Sequence, residues 1–115
     1  MKVDKLKLFE MQAELCSLMA NAKRLMILDF ISSQGEAKVG DIAAELEVPI
    51  STVSQHLRLM RDKNVVLARK EGHTVYYRLK HPKLMEGCHA VQSVLMAELR
   101  GTAIMAEDLG AHAKD

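Results

Sequence analysis

Between Ser51 and Arg58 the chain reads Ser-Thr-Val-Ser-Gln-His-Leu-Arg, and winding this run into a helix sorts it by chemistry. Ser51, Thr52, Gln55 and Arg58 fall on one face, Val53, Leu57 and Met60 on the opposite one, with Ser54 and His56 on the flanks. Short hydroxyl and amide side chains can donate to and accept from the edges of nucleic-acid bases, while Arg58 and Arg61 are long enough to reach phosphates. The blander reading is a polar surface carrying one surface histidine. The charge distribution favours the first. The whole chain of 115 residues has a formal charge of only +1, but residues 51–82 hold Arg58, Arg61, Lys63, Arg69, Lys70, Arg78 and Lys80 against Asp62 and Glu71. That block is +5 and leaves −4 for everything else. A polyanion is the commonest reason for such a polarity, against chance clustering on a solvated face.

Other chemistries find little to work with. There is no glycine-rich phosphate loop, no His-Glu-x-x-His pair and no Gly-x-Ser-x-Gly turn, so no enzyme is expected. Only two Phe and two Tyr occur, and no Trp, too few to build an aromatic cofactor pocket or a base-stacking platform. The two cysteines, Cys16 and Cys88, are too few for a disulfide framework and would remain thiols in a reducing compartment. No apolar run is long enough to span a bilayer, and the first residues lack the pattern of a signal peptide, so a cytoplasmic protein without membrane contact is expected.

The elements that must position these residues follow from periodicity. From Asp4 to about Met19 two interleaved sets, Leu6-Phe9-Ala13-Cys16 and Leu8-Met11-Leu15-Leu18, predict a helix with a wide apolar face. Asn21 is a good N-cap for a second helix through Leu25, Leu28 and Ile31, ending near Ser32-Ser33-Gln34-Gly35. A short helix from Val39 to Leu46, a break at Glu47-Val48-Pro49, and a further helix to about Lys63 make a helix-turn-helix. The period then changes to two. Val65–Lys70 and Thr74–Leu79, joined by Glu71-Gly72-His73, predict a β-hairpin with a basic, polar tip. After Pro82, Leu84, Cys88, Val91, Leu95 and Leu99 form a seam-like stripe on a last helix.

The order of four helices, hairpin and helix predicts a mostly α winged helix-turn-helix over residues 1–100, with a frayed tail over 101–115. Its terminal helices carry more apolar surface than a chain this small can bury, which calls for a partner, most simply a second copy.

Four segments carry a closer likeness. They are Glu14-Leu15-Cys16 through Ala20-Asn21-Ala22-Lys23-Arg24-Leu25-Met26-Ile27-Leu28, Val39-Gly40-Asp41-Ile42-Ala43, Ser51 to Arg58, and Gly72-His73-Thr74-Val75-Tyr76-Tyr77-Arg78-Leu79. In colinear order over about residues 6–100 they closely resemble the ArsR/SmtB family of winged-helix repressors. The resemblance implies a homodimer on double-stranded operator DNA, with the helix from Ser51 to Lys63 in the major groove and the hairpin as a wing. The expected DNA contacts are Ser51, Thr52, Ser54, Gln55, His56, Arg58 and Arg61 on the helix, and Arg69, Lys70 and His73 on the hairpin. The resemblance also implies a dimer interface through the first and last helices, with Leu84, Val91 and Leu95 on the latter, and an inducer that releases the DNA.

The departures are informative. Pro49-Ile50 stand where the family commonly has Ser-Gln, removing a capping hydroxyl. The short helix reads Lys38-Val39-Gly40-Asp41-Ile42 without the Cys-x-Cys pair of metal-binding members. On the last helix His81 and Lys83 replace an acidic residue and a histidine, and no second His or Glu follows near Val94 and Ala97. No metal site and no required cofactor is therefore expected. Cys16 and Cys88 each lie on an apolar stripe, on helices the resemblance brings together. They read as inert packed thiols, as a redox or reactive-sulfur switch, or as ligands for arsenite or a soft metal ion. The overall reading is an inducible DNA-binding repressor. A winged-helix module that binds protein instead of DNA is the alternative, and a thiol enzyme would require an exposed, activated cysteine.

Overall fold

The computed structural model describes residues 4–101. Its helices are α1 (Lys5–Met19), α2 (Ala22–Gln34), α3 (Val39–Leu46), α4 (Ile50–Asp62) and α5 (Leu84–Gly101), and its strands are β1 (Ala37–Lys38), β2 (Val66–Glu71) and β3 (Thr74–Leu79). The chain divides after Pro82 into two compact units, so the expected 1–100 domain spans both. Beyond Gly101 the expected tail lies outside the described residues. Among the described residues no helix is long and apolar enough to cross a membrane.

Local chemistry sets the helix ends. Asp4 caps α1, its carboxylate accepting from the Leu6 N–H at 3.2 Å. Asn21 caps α2 by accepting from the Arg24 N–H at 3.1 Å. Gly35 closes α2 at φ 82°, a conformation that costs a residue without Cβ little. Then α3 and α4 stop in the same way. The Val48 N–H donates to the Ala43 carbonyl and the Glu47 N–H to Ala44, and one helix later Val65 donates to Met60 and Asn64 to Arg61. Such paired bonds need one left-handed residue, supplied by Glu47 at φ 55° and Asn64 at φ 62°. Pro49 precedes α4 and provides no side-chain cap, as the missing hydroxyl leads one to expect.

The three strands form one antiparallel sheet in the order β1-β3-β2, with Arg69 opposite Tyr76 and Tyr76 opposite Lys38. Two details differ from the sequence reading. Glu71 belongs to β2 and pairs with Thr74, leaving a two-residue turn of Gly72, at φ 63°, and His73. The two-residue strand β1 has no periodic signature, because it exists only through pairing with β3. The core of this unit joins Ile27, Leu28 and Ile31 of α2, Ile42 of α3, Val53, Leu57 and Met60 of α4, and Val66 of β2, all fully buried. Burying each such side chain contributes roughly 1.5–3 kcal/mol, which fixes the angular position of α4.

The second unit, over the described residues, is α5. Glu86 in its first turn and Arg100 in its last complement the helix dipole.

Candidate nucleic-acid interface

With Val53, Leu57 and Met60 anchored in the core, the opposite side of α4 must face out. Ser51, Gln55, Arg58 and Arg61 are exposed there, while Thr52, Ser54 and His56 are half-buried. The expected base-reading group is thus split by depth. Ile50, 58% exposed in the first turn, is an apolar addition to this otherwise polar face. Its aliphatic tip suits a thymine methyl. The signal for it was the departure Pro49-Ile50.

The cations divide into engaged and available ones. Arg61 lies 3.7 Å from Asp62, and Lys63 pairs with Glu14 of α1 at 3.6 Å. Among the described residues Arg58, Lys70, Arg78 and Lys80 have no carboxylate partner, and all four are exposed. His73 is exposed at the hairpin turn. Arg69 differs: its guanidinium Nη2 donates to Glu36 Oε1 and its Nη1 to Glu71 Oε2, each at 2.7 Å. It also sits 4.6 Å from the centroid of the Tyr76 ring. The bonds to Glu36 and then Glu71 push its pKa further above the usual arginine range. The expectation that Arg69 holds a phosphate therefore meets a guanidinium already flanked by two carboxylates.

His56 is half-buried on α4. Desolvation lowers its pKa from the ordinary 6.5, and the charges of Arg24 and Lys23 lower it further. The folded chain thus disfavours the imidazolium, and the unfolded chain binds more protons below about pH 6.5. The stability contributed by neutral His56 is fully present above that value and is lost as pH falls through the window beneath it. Thermal unfolding of wild type and His56→Gln between pH 5 and 8 should show the gap between them narrowing or reversing on acidification. Parallel pH curves would contradict this.

Arg24 also donates from Nη1 to the Leu18 carbonyl at 2.6 Å, tying α2 to the end of α1, while its Nε is buried without a partner. Beside it Met11, Leu15, Leu18, Leu59, Glu14 and Lys63 line an open cleft of about 500 Å³.

The two thiols differ in depth within the single chain. Cys16 is exposed on α1, and Cys88 is half-buried on α5. Both terminal helices leave apolar residues in solvent: Leu6 (65%) and Phe9 (56%) on α1, and Val91 (63%) and Leu95 (58%) on α5, where Leu84 is half-buried. Among the described residues no three His, Cys, Asp or Glu side chains gather in a way that would hold a metal ion.

A three-helix core with a helix-turn-helix followed by a hairpin is a winged helix-turn-helix, the DNA-binding fold of many transcription regulators. Residues 21–67, from α2 into β2, match the family described as bacterial regulatory protein, arsR family. The chain belongs to that ArsR family. It is 39% identical over 75 residues to the transcriptional repressor PagR of Bacillus anthracis, covering 65% of this chain and 75% of PagR. It is 41% identical over 68 residues to the nodulation protein NolR of Rhizobium meliloti, covering 59% of this chain and 55% of NolR. Thus the chain spans about half the length of some of the curated relatives it matches. The solution structure of a homodimeric winged helix-turn-helix DNA-binding domain from Mycobacterium bovis superimposes with a TM-score of 0.73 at 31% identity, covering 88% of this chain and 93% of that one. The family is one of bacterial regulatory proteins, and PagR within this comparison is a transcriptional repressor, not an enzyme.

Proposed function

We propose that this chain is a DNA-binding transcriptional repressor that acts in the cytoplasm as a homodimer, with α4 in the major groove and the β2–β3 hairpin as a wing. The observation that carries the reading is the two-sidedness of α4. Its apolar side is fully buried, so Ser51, Gln55 and Arg58 are held out on a rigid element beside cations that lack internal partners. In this reading Ser51, Thr52, Ser54, Gln55 and His56 read base edges, with Ile50 on a methyl group. Arg58, Arg61, Lys70 and His73 hold phosphates. The apolar surfaces of α1 and α5, including Leu84, Val91 and Leu95, supply the dimer contact. The homodimeric M. bovis domain supports this assembly by likeness.

The roles separate experimentally. Gln55→Ala should lower the ratio of specific to non-specific affinity, by about 1–3 kcal/mol for a bidentate base contact. Lys70→Ala should instead weaken binding to every sequence and flatten the salt slope by about one. Both are read by titrating the DNA upstream of the protein's own gene and a scrambled duplex at several salt concentrations. Uniform loss in both variants would refute the assignment, and no DNA affinity at all would favour a protein-interaction module.

For release, the groups that support a reading are Cys16 and Cys88, of which Cys16 is exposed in the single chain. A peroxide takes two electrons and two protons from two thiols, forming one S–S bond and leaving water. Two persulfide molecules can instead close a trisulfide between the two cysteines, their S–S bonds breaking to release two thiols and one hydrogen sulfide, and arsenite or a soft cation can be bound by the thiolates. Either Cys→Ser variant should bind DNA as wild type does and no longer respond to peroxide or persulfide. Wild type that keeps its affinity and its intact mass after treatment would remove the thiols from the mechanism. Arsenite and zinc, added in parallel titrations, test the ligand version.

A further inference from the structure

We propose that Arg69 is a positioning residue that braces the wing against the helix-turn-helix by reaching across the central strand to Glu36, with Glu71 completing the brace. This rests on the DNA-binding reading above and changes what one residue does within it.

The geometry builds from the strand order. Arg69 lies on β2 directly opposite Tyr76 on β3, and Tyr76 lies opposite Lys38 on β1. Side chains at paired positions share one face of a sheet, so a long residue at 69 extends over the ring at 76 toward the far strand. The Arg69 guanidinium follows that path, with its carbon 4.6 Å from the Tyr76 centroid. At the far side Glu36, directly preceding β1, accepts from Nη2 at 2.7 Å and from Nε at 3.4 Å. Glu71, two residues along β2 and so on the same face, accepts from Nη1 at 2.7 Å. Three of the guanidinium's N–H directions are thus spent on the protein's own carboxylates, and the ring's stacking face is used as well.

Charge decides against a phosphate role. One cation between two carboxylates presents a net negative cluster, which repels a phosphate rather than recruiting it. Lone exposed ion pairs contribute little, but a forked arginine shared by two acceptors and stacked on a ring is the arrangement in which such contacts matter. Its placement gives it leverage: β1 runs directly into α3, the first helix of the helix-turn-helix, whereas β2 and β3 are the wing. Linking Glu36 to Arg69 fixes one relative to the other.

The test compares Arg69→Lys, Arg69→Gln, Glu36→Gln and the Arg69→Gln/Glu36→Gln double variant. A lysine keeps the charge but cannot fork to two carboxylates or stack as a plane. The brace predicts that all three single variants lower affinity for the protein's upstream DNA by a similar factor of about 3–10, with an unchanged salt slope. The double variant should be no worse than either single, because both remove the same contact. Hydrogen exchange of the free protein should show faster exchange at the β1 and β3 amides in every variant. Retained affinity in Arg69→Lys, tighter binding by Glu36→Gln and a slope flattened by about one in Arg69→Gln would instead make Arg69 a phosphate ligand and overturn the proposal. Unchanged exchange would overturn it too. Faster exchange in a chain that binds no DNA would leave the brace standing and remove the DNA-binding reading.

Discussion

Leu95→Glu is expected to convert the protein to monomers and to reduce operator affinity to near the non-specific level, a loss of about a thousandfold or more. Leu95 is 58% exposed in the single chain, so the substitution leaves the chain's own core alone. In the proposed dimer the same position is covered, and an unpaired carboxylate buried there costs several kcal/mol. The loss on DNA follows from geometry, because two half-sites about one helical turn apart are read together only when two copies of α4 are joined. Sedimentation and a DNA titration measure the two effects, with Leu95→Ala as the size control. A variant that stays dimeric and binds unchanged would place the interface elsewhere.

Leu57→Ala acts from the opposite side of α4. Leu57 is fully buried among the α2, α3 and α4 core residues, so truncation leaves a cavity and costs about 2–5 kcal/mol. Against a typical total of about 5–15 kcal/mol, this removes a large part of the stability. Urea unfolding should show the midpoint falling sharply, whereas Gln55→Ala, at an exposed position two residues away, should move it by less than about 0.5 kcal/mol. Equal stability losses would mean that α4 does not present the face described here.

Much of this architecture is legible in the residues because it is set locally. Asn21 through its side-chain oxygen and Gly35 through its left-handed backbone mark the two ends of α2, and Val39 to Leu46 carries α3 in its apolar spacing. The two faces of α4 follow from helical period alone. What stayed hidden is non-local. Strand β1 is two residues long and is defined by its partner β3, so no pattern within Ala37–Lys38 announces it. Arg69 advertises a positive charge, but its main acceptor, Glu36, lies 33 residues away, and only the folded sheet brings them together. The hairpin turn shifted by one residue because Glu71 suits a loop tip and an exposed strand end equally well. Cys16 sits on an apolar stripe, yet that stripe is exposed in the chain by itself, and in the proposed dimer its burial would come from a partner.

The central claim is that α4 and the wing bind specific DNA, and the most direct measurement is the affinity of the purified protein for the duplex upstream of its own gene against a scrambled duplex, from 50 to 200 mM salt. With four partner-free exposed cations on and beside α4 and the wing among the described residues, Arg58, Lys70, Arg78 and Lys80, doubled in a dimer, the log–log salt slope should fall at roughly −4 to −8. The upstream duplex should bind at least about a thousandfold more tightly than the scrambled one throughout. Equal affinity for both duplexes, or binding that ignores salt, would contradict the account.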